Sequence, residues 1–151
     1  MDAIRRGGLW RAALTAPLLI AVAGCTTHPT APAELTDGAQ AYREGRFADA
    51  ELIWLEALAK SEKYGDEDPR LAQSLHMLAN LAVQQERYDE AVPLYERWID
   101  VRERGLHPED AVFADGLEAL AGVHMVEGHH AAAVPLYERA LAVRENDTSM
   151  D

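Results

Sequence analysis

The stretch Ala91-Val92-Pro93-Leu94-Tyr95-Glu96-Arg97 returns without change as Ala133-Val134-Pro135-Leu136-Tyr137-Glu138-Arg139, seven identities at a spacing of 42 residues. Chance does not produce such a match, so the chain is built from copies of one unit. Upstream, Leu75, Leu78 and Ala79 fall on Leu117, Leu120 and Ala121 at the same spacing. A weaker third copy comes first: Gly45-Arg46-Phe47 with Ala50, Trp54, Ala57 and Leu58 lies over Glu86-Arg87-Tyr88 with Ala91, Tyr95, Trp98 and Ile99. Within each unit apolar residues recur at three and four, the period of an amphipathic helix, and a short polar turn divides the unit into two helices. The pattern predicts an all-α chain of three helical hairpins.

First helices are expected at about 33–44, 69–85 and 108–127, and second helices at about 48–63, 90–103 and 131–145. Asp68 before Pro69 reads as a cap followed by proline at the first helical position, where its missing N–H is harmless, and Pro108 after His107 reads the same way. Pro93 and Pro135 are expected in the first turn of their helices, where few intrahelical bonds are lost. Ala50, Ala91 and Ala133 are the small residues expected where the two helices of a hairpin cross most closely.

The combination of Leu75, Leu78, Ala79, Tyr88, Ala91, Pro93, Leu94, Tyr95, Glu96 and Arg97 resembles the tetratricopeptide repeat, in the 42-residue form found in kinesin light chains. The third unit carries the resemblance through Leu117, Leu120, Ala121, Gly128, Ala133, Pro135 and Leu136 to Leu141. It implies an α-solenoid of about three hairpins over residues 34–146, with a polar tail at 147–151, in which stacking supplies the core that no single hairpin has. Three departures stand out: Glu86 where the turn usually has Gly, His130 in place of an aromatic, and Trp98 at a position normally small, which would loosen the second unit.

The family resemblance also implies a function, the docking of a protein or peptide partner along the concave side lined by first helices. In register, that groove comprises Tyr42, His76, Asn80, Val83, Asp115, Glu118, Gly122 and Met125. A branch of the family clamps a carboxylate there with Lys or Arg, and His76 and Glu118 stand where such a Lys would be. A polar, mildly acidic groove for a neutral or basic segment is the expectation. The last helix presents Val134, Tyr137 and Leu141 on an apolar arc wider than one neighbour covers, and no polar capping helix follows. That edge is a second candidate surface, for a partner or for a second copy.

The N-terminus has its own logic. Arg5, Arg6 and Arg11 precede an apolar run from Ala12 to Ala23, too short for the roughly 20 residues that span a bilayer, in the layout of a secretory leader over residues 1–24. Val22-Ala23-Gly24-Cys25 resembles the lipobox of bacterial lipoproteins. The resemblance implies lipidation at Cys25 after cleavage, a tether at 25–33, and, since Thr26 rather than Asp follows, the periplasmic face of an outer membrane. Cys25 is the only cysteine, so no intramolecular disulfide is available.

The net charge is −12, and removal of a leader holding three Arg and one Asp would take it to −14. Such a charge excludes nucleic acid as a natural partner and leaves membrane attachment to acyl chains.

No enzyme and no cofactor are expected. The serines beyond Cys25 are Ser61, Ser74 and Ser149, with no nucleophile turn, no phosphate-binding Gly loop and no HExxH pair. His124, His129 and His130, with His107 in reach, offer an alternative reading as a metal or small-ligand site. The absence of an i, i+4 pair favours a polar turn instead, and no metal site is assigned. Asp66-Glu67-Asp68 lacks the spacing of a calcium loop.

Overall fold

The computed structural model describes residues 33–65, 68–105 and 110–148. The leader, the lipobox with Cys25 and Thr26, the tether up to residue 32, and His107 and Pro108 lie outside the described residues. Six helices follow in order: α1 (Ala33–Arg43), α2 (Phe47–Ser61), α3 (Pro69–Gln84), α4 (Tyr88–Gly105), α5 (Ala111–Val126) and α6 (His130–Thr148). They pair as the hairpins α1/α2, α3/α4 and α5/α6, and each hairpin packs on the next through α2 against α3 and α4 against α5. No helix among the described residues is long and apolar enough to cross a membrane.

Local chemistry explains the helix starts. Asp68 caps α3, its carboxylate accepting from the Arg70 N–H at 2.9 Å, with Pro69 at the first helical position as expected. The Arg70 guanidinium grips the same carboxylate at 2.6 Å and holds Asp68 below the ordinary carboxylate range, chiefly by that hydrogen bond. The expectation for α5 fails: the helix begins at Ala111, and its cap is Asp110, whose carboxylate accepts from the Phe113 N–H at 2.8 Å. An acidic cap two residues on displaces the proline signal. Pro93 and Pro135 are also corrected. Each is the sixth residue of its helix, in the second turn, so each removes the bond to the carbonyl four residues earlier. Longer helices than expected, beginning at Tyr88 and His130, cause this; α6 also runs on to Thr148, into the expected tail.

The first helices all end alike. At the three hairpin tips the residues in the left-handed region are Gly45, Glu86 and Gly128, with φ of 75°, 58° and 80°. Each tip closes with the paired bonds of a Schellman motif, Arg46 N–H to Ala41 O at 2.9 Å, Arg87 N–H to Ala82 O at 2.9 Å, and His129 N–H to His124 O at 2.7 Å.

Packing follows the repeat. Ala50, Ala91 and Ala133 are each fully buried at the helix crossing, as expected. Trp54, Leu35, Ala41, Leu78 and Leu81 form the core of the first hairpin and its junction with the second. Leu71, Leu75, Tyr95, Trp98, Phe113 and Leu117 form the core that joins the second to the third. Leu58 and Leu94 border both clusters and make the core continuous. Trp98, the bulky departure from the repeat, is accommodated by a missing side chain: a Cβ on Gly116 of α5 would lie 2.0 Å from the indole. Trp54 is seated over Gly38 of α1 in the same manner, with Nε1 2.2 Å from where a Cβ would stand.

The arginine of the repeated Leu-Tyr-Glu-Arg sequence has a fixed job. Arg97 reaches back to Glu62 at 2.8 Å and Arg139 to Glu103 at 2.5 Å, so each ties its hairpin to the end of the preceding one. Exposed pairs contribute about 0–1 kcal/mol each, so they set register more than stability.

Candidate functional site

The expected groove residues lie on the first helices α1, α3 and α5. Three of them, Tyr42, Asn80 and Val83, line a cavity of about 490 Å³ between α1 and α3, together with Ala39, Arg43, Trp54, Met77 and Gln84. Tyr42 stands in the last turn of α1, edge-on to Phe47 at 5.5 Å and tilted against Trp54 at 5.8 Å, and its hydroxyl donates to Gln84 Oε1 across the hairpin boundary. The Asn80 side-chain carbonyl accepts from the Tyr95 hydroxyl, whose proton burial holds more tightly than usual. The cavity therefore offers an aromatic wall with amides and one guanidinium at its rim.

Other groove residues have partners of their own. His76 stacks on Trp98 at 4.8 Å and 20°, half-buried, and burial pushes its imidazole below the ordinary histidine range; Arg102 adds to that and Asp115 opposes it. Asp115 and Glu118 are both held by Arg144 of α6, at 2.6 and 2.8 Å. Met125 lies at the tip of the third hairpin, its sulfur 3.4 Å from His130 Nδ1. Register predicted which helices carry these residues, and the second helices supply several of their side-chain partners.

The edge residues form a coherent patch. On α6, Val134 is 53% exposed, Tyr137 42% and Leu141 57%. Their counterparts one repeat earlier on α4 are covered: Tyr95 is fully buried, and Val92 and Ile99 are half-buried against the core.

The histidines regroup. His124, Glu127 and His129 place one ligand atom each within 4.8 Å of one another. The Glu127 carboxylate is 3.6 Å from His129 Nδ1 and 4.0 Å from His124 Nδ1. His130 is directed at Met125 instead, so the expected trio of histidines is not the cluster the fold assembles. Glu127 is the member that the sequence reading missed. The signal was available in the spacing: a helix that ends with glycine in the left-handed conformation brings the residue four before that glycine beside the one just after it, with the capping residue between.

The architecture defines a class, a stack of antiparallel helical hairpins. Tetratricopeptide repeat models match residues 37–104 and 117–150, and the chain is a tetratricopeptide repeat protein. Its fold is similar to that of BtubC (BKLC) from P. vanneervenii, with a TM-score of 0.69 and 20% identity over 76% of this chain. The chain spans 46% of the length of that protein. No curated protein sequence matches significantly. The matched families describe a repeat scaffold that generally serves protein–protein interaction, and no enzyme family is among them.

Proposed function

We propose that this protein is a membrane-tethered docking module of the bacterial cell envelope, in which Cys25 carries the lipid and the hairpin stack holds a protein partner. The observation that carries docking is the open face of α6: Val134, Tyr137 and Leu141 leave apolar surface in water that the preceding repeat buries beneath its neighbour. An amphipathic helix of a partner is the occupant whose shape fits, because a helix covers the equivalent face of every earlier hairpin. Head-to-tail stacking of copies is disfavoured by charge. Glu56 stands at the position in the first hairpin that Arg97 and Arg139 hold in the later two, and it would meet the acidic end of α6 at Glu145. The lipobox resemblance at Val22 to Cys25 supports the tether, and Thr26 supports an outer-membrane address on the periplasmic side.

Two arms test the reading. Metabolic labelling with a fatty acid tests the tether: label on the wild type and none on Cys25→Ser is expected, and equal label on both overturns it. For docking, the full-length protein extracted in mild detergent is weighed by light scattering after size exclusion. A mass above the monomer that collapses with Val134→Glu and Leu141→Glu is expected. An assembly whose mass both variants leave unchanged, or a wild-type monomer, overturns docking at this edge.

A further inference from the structure

We propose that His124, Glu127 and His129 form a binding site for a divalent transition-metal ion, zinc by its ligand set, at the tip of the third hairpin. The site grows out of the way α5 ends. The His129 N–H bonds back to the His124 carbonyl at 2.7 Å and the Gly128 N–H to the Met125 carbonyl at 3.1 Å, with Gly128 at φ 80°. That motif presses together the residues at its two ends, a contact usually made by apolar side chains. Here the ends are imidazoles, with ring centroids 5.9 Å apart, and the carboxylate of the capping residue lies beside both.

The turn itself does not demand these residues. The same backbone closes the other two tips with Ala41, Glu44 and Arg46, and with Ala82, Gln85 and Arg87. Only the third tip carries the histidine pair. His124 Nδ1 is buried and has no hydrogen-bond partner, since 4.0 Å to Glu127 is too long for one, and a buried nitrogen without a partner calls for a reason. A metal ion between the three side chains supplies it. Zinc held at about 2.0–2.1 Å sets neighbouring ligands about 3.3 Å apart, so from a spread of 4.8 Å each side chain moves by less than about 1 Å.

Two imidazoles and one carboxylate suit zinc and its transition-metal neighbours, whereas calcium and magnesium favour all-oxygen shells. Three protein ligands leave a fourth position for water or for a group from a partner. The surroundings favour a cation twice over. The negative end of the α5 dipole points at the site. His124 also opens onto a cleft of about 360 Å³ lined by Glu96, Asp100 and Glu103 of α4. A bound ion would fasten the end of α5 to the start of α6, in the last hairpin of the described residues. The proposal stands independently of the lipid tether and of docking.

The test is zinc chloride titrated into the full-length protein, followed by calorimetry and by thermal melts. One strong equivalent and a raised Tm are expected, by mass action on the native state. His129→Ala and Glu127→Gln lie at exposed side chains and leave the metal-free melt unchanged; each is expected to weaken zinc binding tenfold or more. His130→Ala is expected to bind as the wild type does, so differences among the variants are free of contributions from Cys25 or His107. No shift with the wild type overturns the site. So does undiminished binding by His129→Ala and Glu127→Gln together, or an equal response to magnesium.

Discussion

The second helix of the second hairpin and the second helix of the third share the same seven-residue sequence and live in different surroundings. Tyr95 of α4 is sealed between its own hairpin and α5, and donates to Asn80. Tyr137 of α6 holds the identical place in its hairpin, over Gly122, and remains 42% exposed, with no helix packed over it among the described residues. Identical residues thus serve as core in one copy and as surface in the next. In a repeat protein burial is decided by what stacks next, so sequence identity between copies carries no guarantee of equal energetic weight.

Truncation of the two tyrosines should expose that inequality most strongly. Tyr95→Ala is expected to cost about 3–5 kcal/mol, the usual range for emptying a buried aromatic site, and Tyr137→Ala roughly half of that or less. Chemical denaturation of both variants checks it, and equal losses would mean that α6 is as well covered as α4. The glycines opposite Trp54 and Tyr137 give the next largest contrast. Gly38→Ala drives a Cβ into the Trp54 indole and is expected to cost about 1–3 kcal/mol, whereas Gly122→Ala, whose nearest neighbour is the Tyr137 hydroxyl at 3.9 Å, should be neutral or gain up to about 1 kcal/mol from helix propensity. Thermal melts distinguish the two signs.

The tips offer a smaller contrast. Glu86 adopts the left-handed conformation that Gly45 and Gly128 adopt without a Cβ, so Glu86→Gly is expected to raise stability by about 1 kcal/mol, and a loss would show that the Glu86 side chain makes up for its strain. The least is expected from pH. Burial lowers the His76 imidazole below its ordinary 6.5, so below that value the unfolded chain binds a proton that the folded chain resists, and stability falls as pH drops through it. Above it both states are neutral and the effect vanishes. In His76→Phe, which keeps a ring on Trp98, the slope of Tm against pH just below 6.5 should be shallower; an unchanged slope would place the titration elsewhere.

The fold was legible because the repeat speaks twice. The 42-residue spacing gives the unit, and three-and-four periodicity within it gives the helices, so α1 to α4 and α6 begin within about two residues of where the pattern puts them. The start of α5 was misread because Pro108 and Asp110 both signal a helix start and only the carboxylate makes the bond. The side-chain partners of the groove residues were less legible than the fold. Register places Asp115, Glu118 and His76 on first helices, yet Arg144 and Trp98 on second helices claim their side chains, and those partnerships lie 26 to 29 residues away for the ion pairs. The cluster at His124, Glu127 and His129 was hidden for a different reason. His124 and Glu127 keep the i, i+3 spacing of a helix face, but the chain leaves the helix before His129, so only the geometry of the turn brings in the third ligand.

The central claim, that the open face of α6 is held by a partner in the envelope, is tested most directly by cysteine labelling. Leu141→Cys places a thiol on the apolar face and Ala142→Cys places one on the exposed side of the same helix turned away from it. With a small maleimide, both thiols of the purified protein should react at similar rates. In intact envelopes the account predicts that Leu141→Cys is protected tenfold or more relative to Ala142→Cys; equal labelling of the two there would contradict it.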